Sequence, residues 1–579
     1  MRTSLPTSRS LLRQATAVAG LLMGAGAVAQ NSDAPPLVER VDVQLVVVDA
    51  YVTNEAGEPV LGLGRDDFEV LEDGSPVEIR QFTGPDAAVG GDASETPTAV
   101  HASEASAERL VVFIDELHLH PHHRVRVLQQ LRQALKKDKG DAQIMLARFD
   151  GQLRVELPFT RDRSAVLDVL DRELDVRRIP MLNAFTEAEQ TLRYLESLQA
   201  QNVEGGDFGD ACTQNGHIAR KHAQQAHTLA LQSIAGMMRM VGSLSGASGR
   251  KSLLHVSDGI PMMPGTRVYG FAAELCDGTG AIEGLENAVD TQLFGSGKNT
   301  RWNPKLAAME LAEFELTRPW RQLGALANTH QVSVYPLQAT GITVASRTQA
   351  DGTRTSMRTE LDARNSVREA LQLIADDTGG RALFDTNDFR SVITGVLEEG
   401  NGFYQLAYEP PNPGDGQQHR IEVRTPGVDA KIRHRSSYIS QSYDQQLADV
   451  VIAALVHGGE DNPLSARLSV DPGERQSTQQ RATLKIAVPL GSLARVPRDG
   501  EEQGEFTVAV GIMDKGDRIR PIGSKTIRVV IPPEPTEQNY VYDVEIELDR
   551  KGGMAAIAIR DDVEGRVSFF RREIAVAGS

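Results

Sequence analysis

Two stretches decide the fold: LVVFID at residues 110–115 and KSLLHVSD at residues 251–258. The first is a continuous apolar run that closes on an acid, and the second reads as another buried strand that ends in one. A strand with one wet face would alternate apolar and polar residues, whereas an unbroken run suits a strand covered on both faces, as in a parallel sheet. Around these runs, apolar residues recur at helical spacing. Val125, Leu128, Leu131 and Leu135 predict a helix that Gly140 ends. Strands are predicted at 144–149, 153–157, 332–336 and 382–384. Helices are predicted at 184–201, 219–244, 306–327 and 389–397, with a further helix through Val367, Ala370, Leu371 and Ile374 that Gly379-Gly380 stops. Strands alternating with helices predict a Rossmann-like, doubly wound, mainly parallel α/β sheet over residues 109–400, with insertions.

The flanking regions read as β structure. VDVQLVVVDAYV at 41–52 alternates and is β-branched, and Asp73-Gly74 between apolar pairs is a hairpin signal. Residues 38–83 thus form a small β unit, but about three strands do not make an independent domain. Residues 84–108, rich in Ala, Gly, Ser, Pro and Glu, predict a flexible linker. Short strands without crossover helices return at 401–438. As a hypothesis, those at 403–434 pair with the N-terminal strands and make the α/β domain an insertion. Residues 439–579 predict one helix, at 445–456, and then about seven strands separated by turn signals. That pattern suits an immunoglobulin-like β-sandwich.

Length and composition narrow the function. At roughly 150 residues per domain, 579 residues predict about four units. An apolar share of 40%, in short runs broken by charge, excludes a polytopic membrane protein. A net charge of −18 argues against a nucleic-acid partner, because a polyanion would be repelled. Residues 1–29 read as a cleaved signal peptide. Arg2, Arg9 and Arg13 precede an apolar 17–29, which ends in the small-x-small site Ala27-Val28-Ala29. The expected location is the periplasm or the exterior. In an oxidising compartment, Cys212 and Cys276 are the single possible intramolecular pair, each in a Gly/Asp-rich, loop-like stretch, and a disulfide stapling two insertions is expected.

FIDELHLHPHHRVRVLQQLRQAL from 113, KSLLHVSDG from 251, ADDTGGRALFDTND from 375 and NGFYQLAYEP from 401 resemble von Willebrand factor type A (VWFA) domains. More narrowly, they are similar to the VWFA-related group common in Acidobacteria, and the segment VERVDVQLVVVDAYV…LEDG before them fits that group too. The resemblance covers roughly residues 38–438. It implies a parallel sheet with helices on both faces and a ligand surface at the C-terminal edge of the strands. It also implies a metal-ion-dependent adhesion site, opened by DxSxS and closed by an acid in an (S/T)DG turn. Asp115 takes the first acid position and Asp258 the last. Leu117 and Leu119 replace the serines, so the site is degenerate, because a hard cation such as Mg²⁺ wants six oxygens. Weak Mg²⁺ or Mn²⁺ binding, with Glu116 assisting, is the most such a site would offer, and no resident cofactor is expected. Without a metal, Asp115 caps the following turn and Asp258 orders the next loop.

A second constellation is HLHPHH, with His118, His120, His122 and His123 after the first buried strand. HxHxxH there resembles the metal-binding signature of the metallo-β-lactamase fold, and His118, His120 and His123 are its candidate zinc ligands. His217, His222 and His227 repeat every five residues and so do not share a helix face; they read as surface residues. No nucleophile elbow or HExxH motif is present. The leading expectation is a non-enzymatic protein that binds a protein partner through the C-terminal edge of the sheet. The alternatives are a zinc-dependent hydrolase using the histidine cluster, and a structural cell-envelope assembly component.

Overall fold

The computed structural model describes residues 45–85, 108–174, 183–205, 208–245, 249–277, 307–342, 355–458, 460–475, 479–498, 501–515, 519–532, 538–549 and 552–574. The signal sequence and nearly all of the 84–108 linker lie outside them. The chain is mixed α/β, with one largely parallel sheet and several antiparallel ones.

The parallel sheet is built on Arg109–Asp115. Its neighbours are Gln143–Phe149 on one side and Lys251–Ser257 on the other, with Val332–Gln338 beyond the latter, all parallel. Leu153–Thr160 forms the far edge and runs antiparallel, joined to Gln143–Phe149 by a tight turn. In chain order the strands lie 3-2-1-4-5 across the sheet. The apolar runs have the environment their composition demands. Leu110, Val112 and Ile114 pack under helices Pro121–Lys137, Arg163–Glu173 and Phe389–Glu399. Val111 and Phe113 pack under Phe208–Ser243, Thr317–Thr329 and Met357–Thr378. Each of these strand side chains is at most 1% exposed, a burial that stabilises by about 1.5–3 kcal/mol apiece.

Helix ends follow local chemistry. Pro121 occupies the first turn of its helix, where a missing N–H costs nothing. Ser356 caps Met357–Thr378, and Gly379 ends that helix with φ of +70°. The next residue is Gly because a Cβ at 380 would run into the Val334 carbonyl. Residues 382–384 do not form a strand; Leu383 makes a single bridge to Leu337.

The N-terminal strands pair far along the chain. Val46–Thr53 lies between Phe403–Tyr408 and Lys431–Arg433, and Ile79–Thr83 flanks Phe403–Tyr408. Glu69–Glu72 lies between Ser75–Val77 and Gln418–Arg424, which also pairs with Ser437–Ile439. The two sheets share one core, including Val48, Val70, Tyr404 and Ile421. The C-terminal region has a three-stranded sheet (Arg467–Arg475, Gln479–Pro489, Asn539–Asp549) and a larger one (Val496–Arg498, Glu501–Asp514, Ile519–Val530, Gly553–Asp561, Val567–Ile574) around a second core. Helix Tyr443–His457 covers the outer face of the larger sheet through Leu447, Val451 and Leu455.

Two local expectations are corrected. Cys212 and Cys276 are disulfide-bonded, but both sit on helices, Phe208–Ser243 and Thr266–Asp277, and not in loops. His222 is 5% exposed rather than on the surface, whereas His217 is exposed and His227 half-buried. A five-residue repeat must turn one of its members inward when the helix packs on neighbours.

Candidate functional site

The strand order reverses between Arg109–Asp115 and Lys251–Ser257: the chain leaves Asp115 toward Gln143–Phe149 on one side, and crosses from the edge strand Leu153–Thr160 to Lys251–Ser257 on the other. Open α/β sheets bind ligands beyond the carboxyl ends of the strands at such a point. Asp115 ends one strand flanking it, and Asp258 follows the other directly.

Asp115 is fully buried and fully engaged. Its Oδ1 accepts from Leu117 N (3.2 Å), capping the 3₁₀ turn Glu116–His118, and from Ser233 Oγ (2.8 Å) on helix Phe208–Ser243. Its Oδ2 faces His118 Nδ1 (3.2 Å) and His255 Nε2 (3.4 Å). Burial pushes the carboxyl up, but charge attraction and hydrogen bonds from His118 and His255 outweigh it and hold Asp115 well below the usual carboxylate range. The Ser233, His118 and Asp115 grouping is no hydrolytic triad. The serine and the aspartate meet the same imidazole nitrogen, His118 Nδ1, and Ser233 donates to Asp115 directly. A triad needs the nucleophile on the opposite ring nitrogen.

Asp258 fastens the first loop to the second. Its Oδ2 accepts from His120 N (2.6 Å), its Oδ1 from His123 Nδ1 (2.8 Å), and its own N–H donates to the His118 carbonyl (2.7 Å). The HLHPHH residues therefore divide. His118 turns inward to Asp115, His120 and His123 stand beside Asp258, and His122 is exposed. The His120 ring lies 5.2 Å from that of His123 and 5.3 Å from that of His122. Burial and the nearby His123 lower the His120 pKa. Among the described residues, His118, His120 and His123 do not bring three ligand atoms within 4.8 Å of one another; Glu72, Asp73 and His419 do.

Leu117 and Leu119, at the serine positions of the adhesion motif, are each 1% exposed and serve the cores. Glu116 is committed elsewhere: both its oxygens accept from Arg124 Nε, at 2.8 and 2.9 Å. Arg124, fully buried, also bonds Glu173 Oε2 at 2.9 Å. Burial pushes Glu116 up, with Arg124 opposing. Asn183 Nδ2 donates to the carbonyls of Glu116 (2.9 Å) and Leu119 (2.8 Å). Ser233, His255, Arg124 and Asn183 escaped the sequence reading. Each lies on an element remote in sequence or reads as an ordinary helix or strand position, so no spacing signal marks it.

No protein-family model and no curated protein sequence matches the chain. Among solved structures, an aerotolerance-related membrane protein from Bacteroides fragilis is 10% identical with a TM-score of 0.22, over 51% of this chain and 99% of that one. A conserved hypothetical protein, BatB, from Bacteroides thetaiotaomicron is 11% identical with a TM-score of 0.21, over 51% of this chain and 98% of that one. At such scores the likeness carries no argument about what this chain does.

Proposed function

We propose that this chain is an exported, non-enzymatic binding protein with a VWFA-like α/β domain, which recognises a protein partner through the loops at the C-terminal edge of its sheet. One observation carries the reading: the 3-2-1-4-5 order sets Asp115 and Asp258 at the reversal point, with His120, His122 and His123 on the open side. Recognition is metal-independent in this reading. Every Asp115 oxygen already faces a protein donor, so a cation would have to break a buried network to reach it. The Cys212–Cys276 disulfide supports an oxidising compartment. No helix among the described residues is long and apolar enough to cross a membrane.

The test is quantitative partner capture from envelope and culture-fluid fractions, with wild type, His122→Glu/His123→Glu and Val541→Glu compared, each with and without EDTA. The expected result is one partner whose recovery survives EDTA and drops at least tenfold with the histidine pair changed. The exposed Val541, on Asn539–Asp549 in the C-terminal region, serves as the control. Loss of assembly with Val541→Glu alone would favour the envelope-component reading, and equal recovery by all three would refute binding at the sheet edge.

A further inference from the structure

Away from the sheet edge, Glu72, Asp73 and His419 converge in the small β unit formed by the N-terminal strands and those following residue 400. Glu72 ends strand Glu69–Glu72, Asp73 opens the tight turn to Ser75–Val77 with φ of +51°, and His419 lies on the paired strand Gln418–Arg424. His419 Nδ1 is 2.8 Å from Asp73 Oδ2 and 3.6 Å from Glu72 Oε1. The three ligand atoms lie within 4.8 Å of one another. Ligands at tetrahedral corners around Zn²⁺ stand about 3.3 Å apart, given metal–ligand bonds of about 2.0–2.1 Å. Moving the two closest groups apart by a few tenths of an ångström makes room for an ion.

The surroundings are those of a metal-binding histidine. His419 Nε2 faces both oxygens of Asp415, each at 3.2 Å. A carboxylate behind the far nitrogen fixes the tautomer and aims the near nitrogen at the metal. Tyr438 Oη donates to Glu72 Oε2 at 3.1 Å, leaving Oε1 turned toward His419. Arg420 N–H donates to Asp73 Oδ1 at 2.9 Å, leaving Oδ2 likewise. Each carboxylate is thus held by one oxygen and presents the other. Glu72 and His419 side chains are 2% and 7% exposed, while Asp73 is 55% exposed, so the site has one open side.

We propose that Glu72, Asp73 and His419 bind one divalent ion of the Zn²⁺ class, with Asp415 and Tyr438 orienting the ligands from behind and a water completing the set. Three carboxylates face a single imidazole. Burial works against its protonation, but Asp73, Asp415 and Glu72 outweigh that and raise the His419 pKa. The ion takes the place of the Nδ1 proton, which goes to solvent, so binding weakens as pH falls. The site ties residues 72–73 to residue 419 across the whole α/β segment, and occupancy stabilises the fold.

Calorimetry with ZnCl₂ on the full chain tests this, beside Asp73→Asn, His419→Gln, Asp415→Asn and His120→Ala/His123→Ala. Asn tolerates the positive φ at 73, so that variant keeps the fold. The expected result is one Zn²⁺ per chain with a raised Tm. Binding is lost in Asp73→Asn and His419→Gln, weakened about 10- to 100-fold in Asp415→Asn, and kept in the His120/His123 variant. The proposal is overturned if wild type binds no zinc, or if binding survives Asp73→Asn and His419→Gln. Loss with the His120/His123 pair instead would move the metal to the sheet edge and also overturn it.

Discussion

Replacing Arg124 by Met probes how the loop between Asp115 and His120 is held. Arg124 is fully buried between Glu116, also fully buried, and Glu173, which is 1% exposed. It reaches Glu116 Oε1 at 2.7 Å and Glu173 Oε2 at 2.9 Å through the same amino group and chelates Glu116 through Nε. Arg148, 3.9 Å from Glu173, is a distant second cation. Met fills the volume but leaves two buried carboxylates facing each other. Breaking a buried pair from one side costs about 3–5 kcal/mol, since the remaining charge is uncompensated. The sign with pH follows. Burial already raises Glu116 and Arg124 opposes it, so without Arg124 the folded-state pKa rises further above its unfolded value of about 4.3. A group raised in the folded state destabilises as pH climbs from the unfolded toward the folded pKa. The deficit of Arg124→Met is therefore largest at neutral pH and shrinks toward pH ~4.5. Urea denaturation followed by circular dichroism, at several pH values, measures it. The triple variant Glu116→Gln/Arg124→Met/Glu173→Gln removes the charges and regains most of the loss. A deficit below about 1 kcal/mol, the size of an ordinary substitution, would refute the reasoning, as would one independent of pH and unrescued by the triple variant.

Two further predictions concern stability. His222 and His330 are 5% and 6% exposed, and burial lowers each to about 4, with Lys251 adding to the effect at His330. The unfolded chain takes up these protons first, so stability is lost as pH falls from about 6.5 to about 4, by up to ~3 kcal/mol per histidine. His222→Gln flattens that slope in urea melts between pH 7 and 4.5, and an unchanged slope would exclude His222 as a source. The Cys212–Cys276 bridge closes a separation of 64 residues, for which the chain-entropy model gives about 4 kcal/mol. Cys212→Ser/Cys276→Ser should approach that loss, and a Tm equal to wild type would mean that packing alone constrains the segment.

The sequence made the central strands and their acids legible because burial on both faces forces a composition that flanking loops lack. LVVFID and KSLLHVSD read as buried strands, and the two acids closing them stand at the C-terminal edge of the sheet. Local signals also sufficed for the Gly379 helix stop and the Asp73-Gly74 turn. The antiparallel direction of Leu153–Thr160 was not legible. Strand direction depends on whether the connection is a tight turn or a crossover, and strand composition carries no trace of it. His222 was misplaced because periodicity says which residues share a face but not which face meets the protein.

By itself, then, the sequence determined which segments must be buried, which turn or stop the chain, and which acids stand at the ends of the inner strands. Those properties depend on neighbours a few residues away. Tertiary structure alone decided what the acids touch. Asp115 meets Ser233 and His255 from other elements, Asp258 meets His123, and Asp73 meets His419 across 346 positions. Hydrogen bonds and charge pairs act over about 3 Å, so their partners are set by which strands pair and which helices pack. Those choices rest on the summed burial of whole cores, and no single motif encodes them.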